Sequence, residues 1–228
     1  MGNLKFGENK LGRLKSSLRS GFGSNDGFTT DPFVSYICKN DLLDASFIEP
    51  VPENFELLKS NYLNALGEVS RLKFYQLAIS NFSGISIFYS VSRTAKEKLG
   101  NKVPDWYNQL GSFDRDHITK HLDGILEPFI CETEIETKTL GDFLSEQDFE
   151  KLDVLHIDAE GHDYKVISTL DLEQYHPALI LVENKHLSEE ENKIISEKYL
   201  HTLSNLTLSG NNGVLSNKSF SEKKYMNR

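Results

Sequence analysis

Residues 152–163, LDVLHIDAEGHD, set the tightest constraint on how this chain can fold. Val154, Leu155 and Ile157 make a short apolar run that stops abruptly at Asp158-Ala159-Glu160-Gly161-His162-Asp163. Such a run reads as a buried strand that empties polar and flexible residues past its C-terminal end. In open α/β sheets the ligand crevice lies there. Two carboxylates and an imidazole in a strand-to-helix turn can accept protons, hold a cation or orient a hydroxyl. A plainer role is also open: Asp158 capping the next helix, with Glu160 and His162 in solvent.

Strand and helix patterns alternate along the chain, the signature of a parallel sheet covered by helices. Asp31 followed by Pro32 reads as an N-cap and first helical position, opening a helix through Phe33, Tyr36 and Ile37. Residues 45–48 form a strand closed by Glu49. Pro52 then starts a helix in which Phe55, Leu58, Tyr62 and Leu66 recur at helical spacing. Residues 72–79 read as one further strand, with residues 85–91 pairing with it or extending the sheet. Residues 129–139 alternate as an exposed strand does, and a helix follows through Phe143 and Leu144. After the strand at 154–157 come a helix through Tyr164, Ile167 and Leu170, an apolar strand at 178–182 closed by Glu183, and a polar helix at 189–202. NLTLSGNNGVLSNK then reads as a terminal hairpin around Asn211-Asn212-Gly213.

Two stretches stand outside this rhythm. Residues 1–20 are polar and basic without clear periodicity and read as an N-terminal extension. Residues 92–128 mix Trp106, Tyr107 and Phe113 with Lys96, Lys98, Arg115, Asp116 and His117. They read as a helical or looped insertion that can close over the strand ends as a lid.

A chain of 228 residues fits a single domain with a sizeable core, here taken as residues 1–228. The net charge of −9 argues against a general nucleic-acid binder; only Lys10, Arg13, Lys15 and Arg19 make a markedly basic stretch. No apolar run approaches the roughly 18 residues of a membrane span. MGNLKFGENK lacks a secretory apolar core, and Phe6 stands where myristoylation wants Ser or Thr. Cys38 and Cys131 sit in dissimilar contexts and suggest neither a metal knuckle nor a disulfide, so a reducing, cytoplasmic setting is the expectation. Nothing in the chain sets an oligomeric state.

The glycine turn at 21–32, GFGSNDGFTTDP, opens a helix, so its backbone can approach a ligand closely and the helix N-terminus offers free N–H groups. Glu49 ends the next strand, where an acid can accept hydrogen bonds from ribose hydroxyls. Together they point to an adenosine-bearing ligand. Asn25, Asp26 and Asp31 would repel a pyrophosphate but suit the ammonium of S-adenosylmethionine, which favours a methyl donor over NAD.

The segments GSNDGFTTDPF, FIEPVPENFELLKSNY, LAISNFSG, LHIDAEGHDYKVI and LILVENKHL together resemble the FkbM-type class I methyltransferases. The resemblance covers about three quarters of the chain. It implies a Rossmann-like α/β fold of seven strands, mostly parallel with a C-terminal hairpin, bound S-adenosylmethionine, and O-methylation of a sugar or other hydroxylated small molecule. By the same resemblance Gly23, Ser24, Asn25, Asp26, Gly27 and Asp31 form the donor loop, Glu49 with Pro50 holds the ribose, and Ala78 and Ile79 lie near the adenine. The expected partner is a small-molecule or glycan acceptor.

For the reaction itself the candidates are Asp158, His162, Glu183 and His186. Asp158, Glu183 and His186 can also hold a divalent cation, although no compact metal spacing demands one. His156 lies inside an apolar strand and reads as a packed core residue. Two other readings stay open: an NAD-linked oxidoreductase using the same glycine-and-acid geometry, and a degenerate module that binds nucleotide without turnover.

Overall fold

The computed structural model describes residues 16–20, 34–41, 43–149, 152–177, 179–183, 186–202, 206–209 and 212–216. The donor-loop residues Gly23, Ser24, Asn25, Asp26, Gly27 and Asp31 lie outside them, as do Phe33, Ala178 and Asn211. The fold is mixed α/β with two sheets.

The larger sheet has seven strands. Five are β1 (Ser16–Ser20), β2 (Asp44–Ile48), β3 (Leu72–Tyr75), β8 (Val154–Ile157) and β9 (Leu179–Glu183). They run parallel in the order β9-β8-β1-β2-β3. At the β9 edge, β11 (Asn212–Ser216) pairs antiparallel, and β10 (Leu206–Ser209) pairs antiparallel with β11. The smaller sheet orders β4 (Ala78–Ser80), β7 (Ile130–Thr139), β5 (Gly84–Val91) and β6 (Gly111–Ser112), with β4 parallel to β7 and the other pairs antiparallel.

Alternation along the strands splits the core between the two faces of the larger sheet. On one face Ala45, Phe47, Leu179 and Leu181 pack with Ile37 from α1 (Val34–Lys39) and with Leu58 and Tyr62 from α2 (Pro52–Leu66). Phe47 anchors this face, with its ring 4.7 Å from Tyr62 and 5.2 Å from Phe74. On the other face Ile48, Leu155, Ile157, Ile180 and Val182 pack against Phe88 and Ile135 of the smaller sheet. Phe143 from α5 (Leu140–Glu146) and Val166 from α6 (Asp163–Ile167) join them. Strands buried on both faces read as apolar runs, which is why 154–157 and 179–182 were legible as strands.

The insertion has its own small core of Val91, Ala95, Val103, Tyr107, Leu110, Ile118 and Leu126. It holds α3 (Thr94–Leu99), α4 (Arg115–Thr119) and four short 3-10 segments, the last running one residue past it. It is tied to α2 by Arg93, which donates to Asn54 at 3.0 Å, and by Asn54, which donates to the Asn108 carbonyl at 3.2 Å.

Three elements differ from the sequence expectation. Residues 16–20 are a strand at the middle of the larger sheet, although SSLRS has no apolar run to announce it. Strand pairing is a backbone ladder, and a strand's residue preference is largely set by its neighbours. Residues 72–79 are two strands in different sheets, because the chain leaves the β2 edge after Tyr75 and joins β7 at Ala78. Residues 85–91 pair with β7 and β6 rather than with residues 72–79. The expected helix at 189–202 is α8 (Glu189–Thr202), and α1 lies where a helix through Tyr36 and Ile37 was expected, while its expected start at Asp31 and Pro32 lies outside the described residues. A short helix, α7 (Leu172–Tyr175), begins two residues after Leu170 and carried no separate signal.

Candidate active site

Register brings the acids of separate strands to one line. Tyr75, Ile48, Ser20, Ile157 and Val182 stand in a single row across the five parallel strands. Glu49, Asp158 and Glu183 each come one residue later, so three carboxyl side chains mark the same C-terminal edge. With strands about 4.8 Å apart, the Asp158 and Glu183 backbones lie roughly 5 Å apart, and Glu49 lies roughly 10 Å to the other side. The chain runs outward from β1 to β2 and β3 and returns to β8 on the opposite side of β1, so Asp158 stands beside the switch point of the sheet.

Glu49 is fully buried, and its Oε1 accepts the Val51 backbone N–H at 2.9 Å. Pro50 is buried beside it. A carboxylate is retained inside a protein only where hydrogen bonds hold it, so this is a fixed acceptor rather than a solvated surface charge. Ala78 and Ile79 are buried in β4, with Ser80 after them.

Residues 158–163 fold as a turn closed by the backbone of His162 donating to the Ala159 carbonyl at 2.9 Å. Glu160 and Gly161 both take left-handed backbone, with φ of 46° and 91°. Gly161 is demanded twice over, because a Cβ there would sit 3.3 Å from the His186 Cβ. The turn is anchored from within by Asp163, whose two carboxyl oxygens accept the N–H groups of Ala159 at 2.9 Å and Gly161 at 3.1 Å. Asp163 is fully buried, and burial, helped by the nearby Asp158 charge, pushes its carboxyl up to about 7 despite the N–H bonds, which pull the other way.

His162 precedes α6 with its Nε2 2.8 Å from the Ser80 Oγ and its ring centroid 5.0 Å from that of Phe113. Burial, together with Lys165, lowers it to about 4, so the imidazole is neutral at pH 7. On the β9 side, the His186 Nε2 lies 3.5 Å from a carboxyl oxygen of Glu160. Ligand atoms of Glu160, Glu183 and His186 all lie within 4.8 Å of one another. His117 reaches this corner from α4, with its ring centroid 6.0 Å from that of His186 and 5.2 Å from that of His121. It too is lowered to about 4, first by burial and then by Lys120, His121 and His186.

Of the sequence candidates, then, Glu49, Asp158, Glu183 and His186 share one edge, and His162 faces Ser80 and Phe113. Glu160, not Asp158, joins Glu183 and His186 in the compact three-ligand group. Sequence reasoning missed the anchoring role of Asp163, Ser80 and the site-facing position of His117. The first had a signal, since an acid five residues after Asp158 and just past a glycine is well placed to cap its own turn. Ser80 and His117 arrive from the second sheet and the insertion, with no local signal. Within the insertion, Tyr107 is core and donates to the Arg93 carbonyl, Lys96 pairs with Asp105, and Arg115 pairs with Glu127. Trp106 is 42% exposed and leans on His121. His156 is half-buried within β8.

Acidic strand ends thus gather around the switch point of a parallel sheet in a mixed α/β fold. The FkbM methyltransferase domain model matches residues 22–212, and the chain belongs to that family. Among solved structures, a methyltransferase FkbM from Methylobacillus flagellatus matches over 84% of this chain and 39% of its own length, at 10% identity and a TM-score of 0.49. This chain therefore spans well under half of that protein. No curated protein matches it. Among the described residues no helix is long and apolar enough to cross a membrane.

Proposed function

We propose that this chain is an S-adenosylmethionine-dependent methyltransferase of Rossmann-like fold that methylates a hydroxyl of a sugar or another small molecule. The observation that carries it is the row Glu49, Asp158 and Glu183 at one sheet edge, in a chain of the FkbM family. A buried, hydrogen-bonded carboxylate at the end of β2 fits a ribose, since it offers acceptors to two hydroxyls. Ala78 and Ile79 supply an apolar wall for adenine, and residues 23–27 with Asp31 are assigned to the amino-acid end of the donor. A bound pyrophosphate would meet Asp26 and Asp31, so the family and the loop charge favour a methyl donor over a nicotinamide.

The sulfonium donor supplies a methyl group that is already activated. The protein's part is to align the acceptor oxygen with it and to take up the hydroxyl proton. Asp158, at the switch point, is the assigned proton acceptor. Neutral His162, held by Ser80 and against Phe113, positions the acceptor side of the turn. Glu183 and His186 flank the acceptor on the β9 side, and the insertion covers the mouth and excludes water.

Calorimetry tests the donor. S-adenosylmethionine or its demethylated product should bind with a Kd in the micromolar range, about 7–8 kcal/mol. Glu49→Ala should weaken this by about 1.5–3 kcal/mol, the loss typical of hydrogen bonds to a charged group. Tight NAD binding without donor binding would overturn the assignment.

A further inference from the structure

We infer that Glu160, Glu183 and His186 form a binding site for one divalent first-row transition-metal ion, of which zinc and manganese are the probes. The three ligand atoms come from the β8 turn, the end of β9 and the segment after it, and all lie within 4.8 Å of one another. The His186 Nε2 and the Glu160 Oε2 are 3.5 Å apart. Two ligands about 2.1 Å from a zinc ion at a tetrahedral angle sit roughly 3.4 Å apart, so this pair already has the spacing of shared coordination. A pair at the widest separation of 4.8 Å needs to close by about 1.4 Å.

A second observation points to the same corner. His117 is only 9% exposed, and its Nε2 has no hydrogen-bond partner among the described residues. Its ring lies against that of His186, with centroids 6.0 Å apart. A buried imidazole nitrogen without a partner is costly, and a metal ion beside His186 offers it one. His117 thus stands as a further nitrogen ligand supplied by the insertion. Imidazole suits zinc and iron, carboxylate suits manganese, and calcium and magnesium prefer all-oxygen ligands. Gly161, without a Cβ, lets the turn come close to His186, since a Cβ there would sit 3.3 Å from the His186 Cβ.

The use of the ion rests on the methyl-transfer reading. Glu183 is the strand neighbour of Asp158, so an acceptor hydroxyl bound to the ion would lie beside the proton acceptor with its pKa lowered. Binding itself does not rest on that reading and is measured without donor or acceptor.

Chelator-treated, buffer-exchanged full chain is titrated calorimetrically with zinc, with manganese and, as a control, with magnesium. The expected result is one zinc or manganese site per chain at micromolar or tighter Kd, with magnesium at least 100-fold weaker. Glu183→Gln and His186→Ala should each weaken binding at least 10-fold, and His117→Phe by a smaller factor. Cobalt-loaded protein gives a second readout, a visible absorption band that His186→Ala removes in protein whose circular dichroism is unchanged. Absence of saturable binding, or wild-type affinity in both ligand variants, would overturn the site.

Discussion

Asp163 shows how one buried side chain can hold a turn in shape. Its carboxyl is buried, and both oxygens accept backbone N–H groups that would otherwise point into the turn unmatched. Its ordinary value of 3.8 is raised to about 7 in the fold. The folded chain therefore holds this proton more tightly than the unfolded chain. The stabilisation it brings is complete below about pH 4 and is lost as pH rises through 7. Asp163→Asn removes that titration. In urea unfolding of chelator-treated protein, the wild type should lose stability relative to the variant by an amount on the order of a few kcal/mol between pH 4 and 8. A difference that stays flat across this window would show that the carboxyl is not the group that titrates. Gly161→Ala acts at the same turn through sterics, combining a left-handed backbone with the 3.3 Å approach to His186. It should lower stability by about 1–2 kcal/mol, seen as a Tm drop of several degrees.

Among the elements, the insertion is the one to which the proposed function assigns acceptor specificity. It ties itself to α2 through Arg93 and Asn54, fills its own core, and turns Phe113 and His117 toward the strand ends. Phe113→Ala should raise the acceptor KM about 10-fold while the donor KM stays within about 2-fold, since an aromatic face on a sugar-like ring contributes about 1–1.5 kcal/mol. Trp106→Ala should act in the same direction but more weakly, because that ring leans on His121 and is 42% exposed. Equal effects on both KM values would move acceptor recognition elsewhere. The insertion also marks the limit of what sequence showed. Strands such as 154–157 and 179–182 were legible because two-sided burial leaves an apolar run, and α2 because its stripe repeats at 3.6 residues. The acids at strand ends were legible for the same reason, as each closes such a run. β1 was not, since its pairing is written in backbone alone, and neither was the break at Tyr75, where the chain changes sheets without a glycine or proline. His117 and Ser80 reach the site through tertiary packing that no local pattern records.

At the scale of the whole molecule, the proposed donor site draws on parts of the chain that fold against one another. Glu49 ends a strand of the larger sheet, Ala78 and Ile79 belong to the smaller one, and a shared core holding Ile48, Ala78, Ile79, Phe88 and Ile157 joins the two. A ligand that touches both sheets binds only when they are docked, so its binding energy adds to the stability of the entire fold rather than to one loop. At a free concentration 100 times Kd, that linkage contributes about 2.7 kcal/mol. For a chain of this size it should raise Tm by about 5–10 °C, measured by thermal unfolding with and without S-adenosylmethionine. Glu49→Ala keeps both sheets but removes the ribose acceptor, so the same donor concentration should give about a tenth to a half of the shift, following its weaker Kd. NAD at equal concentration should leave Tm within about 1 °C of the free protein, because ligand that does not bind the folded state adds nothing to its stability. A full shift in the Glu49→Ala protein would place the ribose contact on another residue, and a shift with NAD but none with the donor would return the site to dinucleotide chemistry.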